Sequence, residues 1–203
     1  MNLREEILQR QEPGVNKILE KASVSILGCG GLGSNIAMEL SRCGVGNIHI
    51  YDFDKVEYSN LNRQNYGIDD LGKSKVEQTK KKIKEAIPYV NIYEHDIKIN
   101  WDNLDVISQK TDIFIEAFDK KEMKSLAFDY FLGKKGKKLI IASGLSGLAG
   151  LEDIKIKQID NVTMIGDFKT SPESGLYLPR VAVIASLEAL YAVNTIIGEA
   201  NGK

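Results

Sequence analysis

Val24-Ser25-Ile26-Leu27-Gly28-Cys29-Gly30-Gly31-Leu32-Gly33-Ser34, residues 24–34, decides the fold. Four residues of strand character run into glycines and then into a helical segment around Ile36 to Leu40. Gly28, Gly30 and Gly33 fit the spacing G-x-G-x-x-G. A tight turn must leave the strand, the backbone must come close to a phosphate, and the helix must pack near the sheet. Free amides at the helix start, among them those of Gly31 and Leu32, then face an anion. On its own the motif fits many nucleotide-binding enzymes, because any of them needs the same turn.

Outward from this stretch, apolar runs at 48–51, 90–93, 113–115 and 139–142 read as further strands, separated by helical segments. Residues 72–87 read as an amphipathic helix with a basic outer face, stopped by Pro88. Strands alternating with helices imply an α/β, Rossmann-like fold with a mostly parallel sheet and crossover helices. After Ser143 the pattern changes. Residues 154–157 alternate with period two and 162–165 resemble another strand, which predicts a C-terminal antiparallel extension, half solvated. The reading is one domain over 1–203. It has an N-terminal helical arm at 1–21 interrupted at Pro13-Gly14, late strands and a crossover loop over 144–180, and a C-terminal helix at 181–197, apolar on most faces but interrupted by Glu188 and Asn194.

Composition narrows the function classes. Of 203 residues, 43% are hydrophobic and 27% charged, with a net charge of −1, so neither nucleic acid nor membrane is expected as a partner from global charge. The two cysteines, Cys29 and Cys43, form no CxxC pair and no disulfide framework. With a polar first segment, the expected location is cytoplasmic. The clusters Lys120-Lys121 and 134–138 read as solvated loops, and His49 and His95 as structural residues.

Asp52 ends the second strand, at the spacing of a carboxylate that accepts from ribose hydroxyls, and Asp54 follows on the same side of an extended chain. A nicotinamide-dependent oxidoreductase would need only the glycines and this acid. It would leave unexplained Asp52-Phe53-Asp54-Lys55-Val56-Glu57-Tyr58-Ser59-Asn60-Leu61-Asn62-Arg63-Gln64, then Gly72-Lys73-Ser74-Lys75-Val76-Glu77, and Glu116-Ala117-Phe118-Asp119-Lys120. These segments resemble the ThiF/MoeB/HesA superfamily, relatives of the ubiquitin-activating enzymes. Pro13-Gly14, the Ser143–Gly147 loop and Leu178-Pro179-Arg180-Val181 are similar to its short, single-domain ThiF branch.

The resemblance implies an adenylyltransferase. ATP and the C-terminal Gly-Gly carboxylate of a ubiquitin-like sulfur-carrier protein would give an acyl adenylate and pyrophosphate. Gly28, Gly30, Gly31, Leu32, Gly33, Asp52, Asp54, Ser59, Asn60, Arg63 and Lys75 would hold the nucleotide. Arg63 and Lys75 would act on the triphosphate, and Asp119 would hold Mg²⁺. Arg10 would reach the ATP of a partner subunit in a homodimer. The CxxC pairs of longer members are absent, so no zinc is expected; no cysteine lies in 144–180, so sulfur transfer would need another protein. A ThiS-like carrier of the thiazole pathway of thiamine biosynthesis is the first expectation and a MoaD-like carrier of molybdopterin synthesis the second. A carboxylate on a modified tRNA base and a non-catalytic carrier-binding subunit are the remaining alternatives.

Overall fold

The computed structural model describes residues 2–148 and 150–202. Met1 of the expected arm, Ala149 of the expected crossover loop, and Lys203 lie outside the described residues. The arm contains α1 (Leu3–Ile7) and α2 (Pro13–Lys21). Pro13 does not break a helix; it opens α2, where its missing N–H has no intrahelical partner to lose.

Then follow β1 (Ser23–Leu27), α3 (Gly31–Cys43), β2 (Asn47–Asp52), α4 (Lys75–Ala86) and β3 (Asn91–Asp96). Next come α5 (Trp101–Ser108), β4 (Ile113–Glu116), α6 (Lys121–Phe131) and β5 (Lys138–Ala142). The chain ends in β6 (Lys155–Ile159), β7 (Val162–Gly166) and α7 (Leu178–Ala200). All strands join one seven-stranded sheet in the order β3-β2-β1-β4-β5-β7-β6. Every pairing is parallel except β6 with β7, so the expected antiparallel pair is present and is attached to β5 through β7.

Alternation along the strands builds two cores. Val24, Ile26, Ile48, Ile50, Ile113 and Ile115 meet Leu19 of α2, Ile36 and Leu40 of α3, Ile83 of α4 and Ile184 of α7. Leu27, Tyr51, Phe114, Leu139 and Ile141 meet Leu104 of α5 and Phe131 of α6 on the other face. Strands covered on both faces need apolar residues throughout, hence the continuous runs in the sequence. Each fully buried aliphatic side chain contributes about 1.5–3 kcal/mol relative to exposure. The edge strands are the exceptions: β6 is exposed along its length, with lysines at 155 and 157, and β3 buries only Ile92.

Two helix starts differ from the sequence reading. Helix α4 begins at Lys75, not at 72, because residues 72–75 are engaged elsewhere: Gly72 N bonds Val56 O, Val56 N bonds Lys73 O, and Lys75 N bonds Asp54 O. Helix α7 takes in Leu178-Pro179-Arg180 as its first turn. By length and composition alone α7 could cross a membrane; here it lies against α3, α2 and the sheet.

Glu188 does not interrupt α7 but is fully buried within it, and neither carboxylate oxygen has a hydrogen-bond partner among the described residues. Burial pushes its carboxyl well above the usual range; Lys124 counters in part, and Glu116 and Glu39 add to the rise. The unfolded chain therefore loses this proton at lower pH than the folded one, and stability falls as pH rises above the ordinary carboxylate range. Glu188→Leu is expected to stabilise the protein by about 1–3 kcal/mol at pH 8 and by less at pH 4.5. Thermal melts at both pH values check this; equal gains, or a loss at pH 8, would count against a neutral buried acid.

Candidate functional site

The strand order reverses between β1 and β4, so the loops leaving their C-terminal ends diverge to opposite faces and open a crevice. A cavity of about 600 Å³ lies there, lined by Gly28, Gly30, Gly31, Leu32, Asp52, Asp54, Arg63, Lys75 and Asp119, among others.

The glycines divide their tasks. Gly28 has φ +109°, and a Cβ on it would lie 2.8 Å from Ala117 O. A Cβ on Gly33 would fall 1.9 Å from Gly28 O, so α3 starts close against the turn that precedes it. Gly30 meets nothing nearer than Gln64 Nε2 at 3.7 Å. Protein packing therefore demands glycine at 28 and 33, whereas at 30 the space is left open to the cavity. The first bond of the turn runs from Ser34 N to Gly30 O, so the amides of Gly31, Leu32 and Gly33 precede it. They form the anion-attracting end of a thirteen-residue helix.

Asp52 is locked to this loop: Cys29 N donates to its Oδ2 at 2.6 Å and Asp54 N to its Oδ1 at 2.9 Å. Burial raises its carboxyl above the usual range, against the pull of these amides and of Lys75. The pairing of 54–56 with 72–75 brings Asp54 to Lys75, whose Nζ lies 3.0 Å from Asp54 Oδ2. The lysine side chain is 7% exposed and the aspartate 51%, so the ammonium is fixed while the carboxylate opens to solvent. Arg63 donates from Nη1 to two neutral acceptors, Ser59 O and Asn62 Oδ1, each at 2.8 Å, which leaves its charge uncompensated toward the cavity.

Asp119 is exposed at the turn between β4 and α6. Below it Glu116 is fully buried; its Oε1 accepts from Phe118 N at 2.5 Å and its Oε2 is paired with Lys124 Nζ at 2.9 Å. Ser59 and Asn60 are not on the cavity wall. Asn60 Oδ1 caps a short 3-10 turn by accepting from Glu57 N, and the contribution of Ser59 toward the site is its carbonyl, which holds Arg63. Arg10 is exposed and far from the cavity of its own chain. Its arm packs at Gly44, at the edge where β2 begins, whereas the cavity lies where the strands end. Among the described residues no cluster of three or more His, Cys, Asp or Glu could hold a metal. A divalent ion here would need ligand phosphates besides Asp119.

The structure adds residues that sequence reasoning did not assign. Gln64, Lys98 and Lys124 line the cavity, as do Ser143, Gly144, Leu145, Thr170, Leu176 and Val181 on the wall facing the glycine loop. That wall is held by Asp167. Its Oδ1 accepts from the amides of Lys169 and Thr170, and its Oδ2 takes Arg180 Nη2 at 2.8 Å, while Arg180 Nη1 donates to Gly150 O. Burial alone would raise the Asp167 carboxyl; the Thr170 and Lys169 amides, the Thr170 hydroxyl and Arg180 together hold it below the usual range. Gln64, the Ser143–Gly147 loop and Leu178-Pro179-Arg180-Val181 lie in segments that carry the resemblance, but none of these residues had a task assigned to it; Asp167 carried no signal. Cys29 is fully buried and its thiol is pushed up to about 11 by burial, so it is no ready nucleophile.

Comparison with known proteins finds relatives and structural neighbours. The chain is 31% identical over 134 residues to a Thermus thermophilus protein named sulfur carrier protein adenylyltransferase, covering 64% of this chain and 49% of the relative. It is 29% identical over 195 residues to the adenylyltransferase and sulfurtransferase UBA4 of Candida glabrata, covering 91% of this chain and 45% of the relative. The chain thus spans less than half the length of these relatives. Among solved structures, E. coli TcdA in complex with ATP, a tRNA N6-threonylcarbamoyladenosine dehydratase, superposes with a TM-score of 0.87 at 19% identity, covering 98% of this chain and 95% of the other. E. coli MccB with ATP gives 0.73 at 23% identity, over 90% and 58%. At these identities the structures speak for the fold, which they share. The model of the ThiF family matches residues 4–203, and the chain belongs to that family.

Proposed function

We propose that this chain is an ATP-dependent adenylyltransferase that activates the C-terminal Gly-Gly carboxylate of a ubiquitin-like sulfur carrier. The observation that carries the reading is the convergence of Arg63, Lys75 and the α3 amides on one cavity at the strand-order reversal. The names of the Thermus and Candida relatives support it.

A carboxylate meeting a triphosphate is an encounter of two anions, so positioning and charge neutralisation supply most of the catalysis. The carboxylate oxygen bonds to the α-phosphorus, the bond from that phosphorus to the bridging oxygen breaks, and pyrophosphate leaves with the electron pair. No proton moves, so no general base is required. Arg63 and Lys75, on one cavity wall, would meet the negative charge that accumulates on the departing oxygens, and Asp52 would accept from ribose hydroxyls. Asp119 fits Mg²⁺, being an exposed carboxylate on the cavity wall that enters no ion pair among the described residues. When bound, the ion would neutralise phosphate charge.

If Arg10 acts on ATP, it does so at the cavity of a second copy in a homodimer, since it does not line its own. Acceptor-dependent exchange of labelled pyrophosphate into ATP tests the function; a chain that binds ATP but shows no exchange with any Gly-Gly carrier would defeat it. A ThiS-like carrier is the first to try and a MoaD-like carrier the second. Asp119→Asn is expected to raise the Mg²⁺ concentration for half-maximal exchange by about tenfold or more, as loss of one ligand does. An unchanged Mg²⁺ dependence would remove it from the ligand set.

One observation favours a second reading, activation of a carboxylate on a tRNA base. Lys98, Lys120 and Lys121 line the cavity mouth, and none is in an ion pair among the described residues. Exchange supported by tRNA and not by carriers would select it.

A further inference from the structure

Tyr66 lies three residues beyond Arg63, and its ring is buried, 8% exposed. Its hydroxyl reaches two segments of the site, the glycine loop and α4. It lies 2.7 Å from Cys29 O in the glycine loop, 3.3 Å from Lys75 O in the first turn of α4, and 3.0 Å from Thr79 Oγ1 one turn further on. Thr79 Oγ1 in turn lies 3.1 Å from Cys29 Sγ.

The protons in this cluster follow from its chemistry. A carbonyl can only accept, so the shortest contact commits the Tyr66 proton to Cys29 O. Thr79 then donates to the Tyr66 oxygen, and the Cys29 thiol donates to Thr79. The result is a closed ring of bonds from thiol to threonine to tyrosine and back to the carbonyl of the same cysteine. The thiol is in the protonated state that this order requires. On its other side the Cys29 peptide is held by Asp52, through the 2.6 Å bond from its amide.

The Arg63 segment is tied to the same place. Asn65 N donates to Ser34 Oγ, and Asn35 Nδ2 to Arg63 O, which joins it to the first turns of α3. Arg63, Lys75 and the loop amides come from three separate stretches of chain. The Tyr66 hydroxyl is the atom where those stretches meet.

We propose that the Tyr66 hydroxyl is a positioning group: it sets the spacing of Arg63 and Lys75 against the glycine-loop amides, and acts on bound phosphates through them. This rests on the reading that the cavity takes ATP. It touches no substrate, so it is not a catalytic residue. Its effect should fall on the part of a nucleotide that the two cations meet, the β- and γ-phosphates, and spare the nucleoside end.

Calorimetry with Mg-ATP and with AMP tests this without any acceptor. Tyr66→Phe keeps the ring and removes one oxygen. It is expected to weaken ATP about tenfold, the order of one lost hydrogen bond, and to leave AMP within about twofold. Equal weakening of ATP and AMP, which a merely structural loosening would give, overturns the proposal, as does no change in either. Thr79→Val opens the same ring at another atom and should give the same asymmetry; if Tyr66→Phe does not fold, its ATP-to-AMP ratio decides. A wild-type chain that binds neither nucleotide overturns the reading of the cavity together with this proposal, whereas a chain that binds both and shows symmetric losses overturns this proposal alone.

Discussion

Lys75→Ala is expected to lower acceptor-dependent pyrophosphate exchange by about 10²-fold or more, and Arg63→Ala by a similar factor, the loss seen when a preorganised charge-stabilising group is removed. The two should differ in ground-state binding. Removing the ammonium of Lys75 leaves Asp54, half exposed and anionic, facing the cavity, so a site that attracted phosphate acquires a repulsive charge. ATP affinity should fall along with turnover. Arg63 is held by neutral oxygens, so its removal leaves no stranded charge, and the loss should appear mainly in the rate. Neither change should cost much stability. The Lys75–Asp54 pair has one solvent-exposed partner, and such pairs contribute about 1 kcal/mol or less. Exchange rates at saturating ATP, with calorimetry in parallel, separate the two cases; wild-type exchange in both variants would mean that the triphosphate lies elsewhere.

Gly33→Ala should be the most damaging single methyl group in the glycine loop. Its Cβ would sit 1.9 Å from Gly28 O and 2.8 Å from Gly28 C, with Ala117 Cβ 3.3 Å away. Backbone atoms cannot swing aside as a side chain can, so the turn and the start of α3 must separate. The expected cost is about 3 kcal/mol or more, with ATP binding lost even in the fraction that folds. Gly30→Ala is the control. Its Cβ would meet only Gln64 Nε2 at 3.7 Å, so the melting temperature should be unchanged while ATP binding falls, because the methyl occupies space open to the ligand. Melting curves and nucleotide calorimetry on the pair check this. A stable, ATP-binding Gly33→Ala protein would show that close packing of helix on turn is not needed.

What could be read from the sequence was what depends on neighbours along the chain. The glycine turn, the buried parallel strands and the late antiparallel pair are local patterns, and all appear. Asp119 could be placed because strand ends at the order reversal build the crevice, whatever the details. What depends on distant partners was not legible. The beginning of α4 moved from 72 to Lys75 because 54–56 pairs with the preceding residues, a contact no helical period reveals. Ser59 and Asn60 lie within the motif, yet their orientation follows from the turn they form, which directs a carbonyl rather than a hydroxyl at Arg63. Asp167 has its partner Arg180 thirteen residues away across a loop and carried no local sign of its task. Glu188 looked like a break in an apolar stretch; the sheet and helices around it decide that it is inside.

The last helix has a consequence for how the molecule is made. α7 covers α3 and α2, elements from the first quarter of the chain, and supplies Val181, Ile184, Ala185 and Ala189 to the larger core. A nascent polypeptide with residues 178–200 still inside the ribosome exposes the apolar side of α3 and of the strands beneath it. Closure therefore waits until residues 178–200 have emerged, and it joins segments far apart along the chain, a slow step by loop-closure entropy. Until then the half-built sheet offers a sticky surface, the kind of nascent species that chaperones shield.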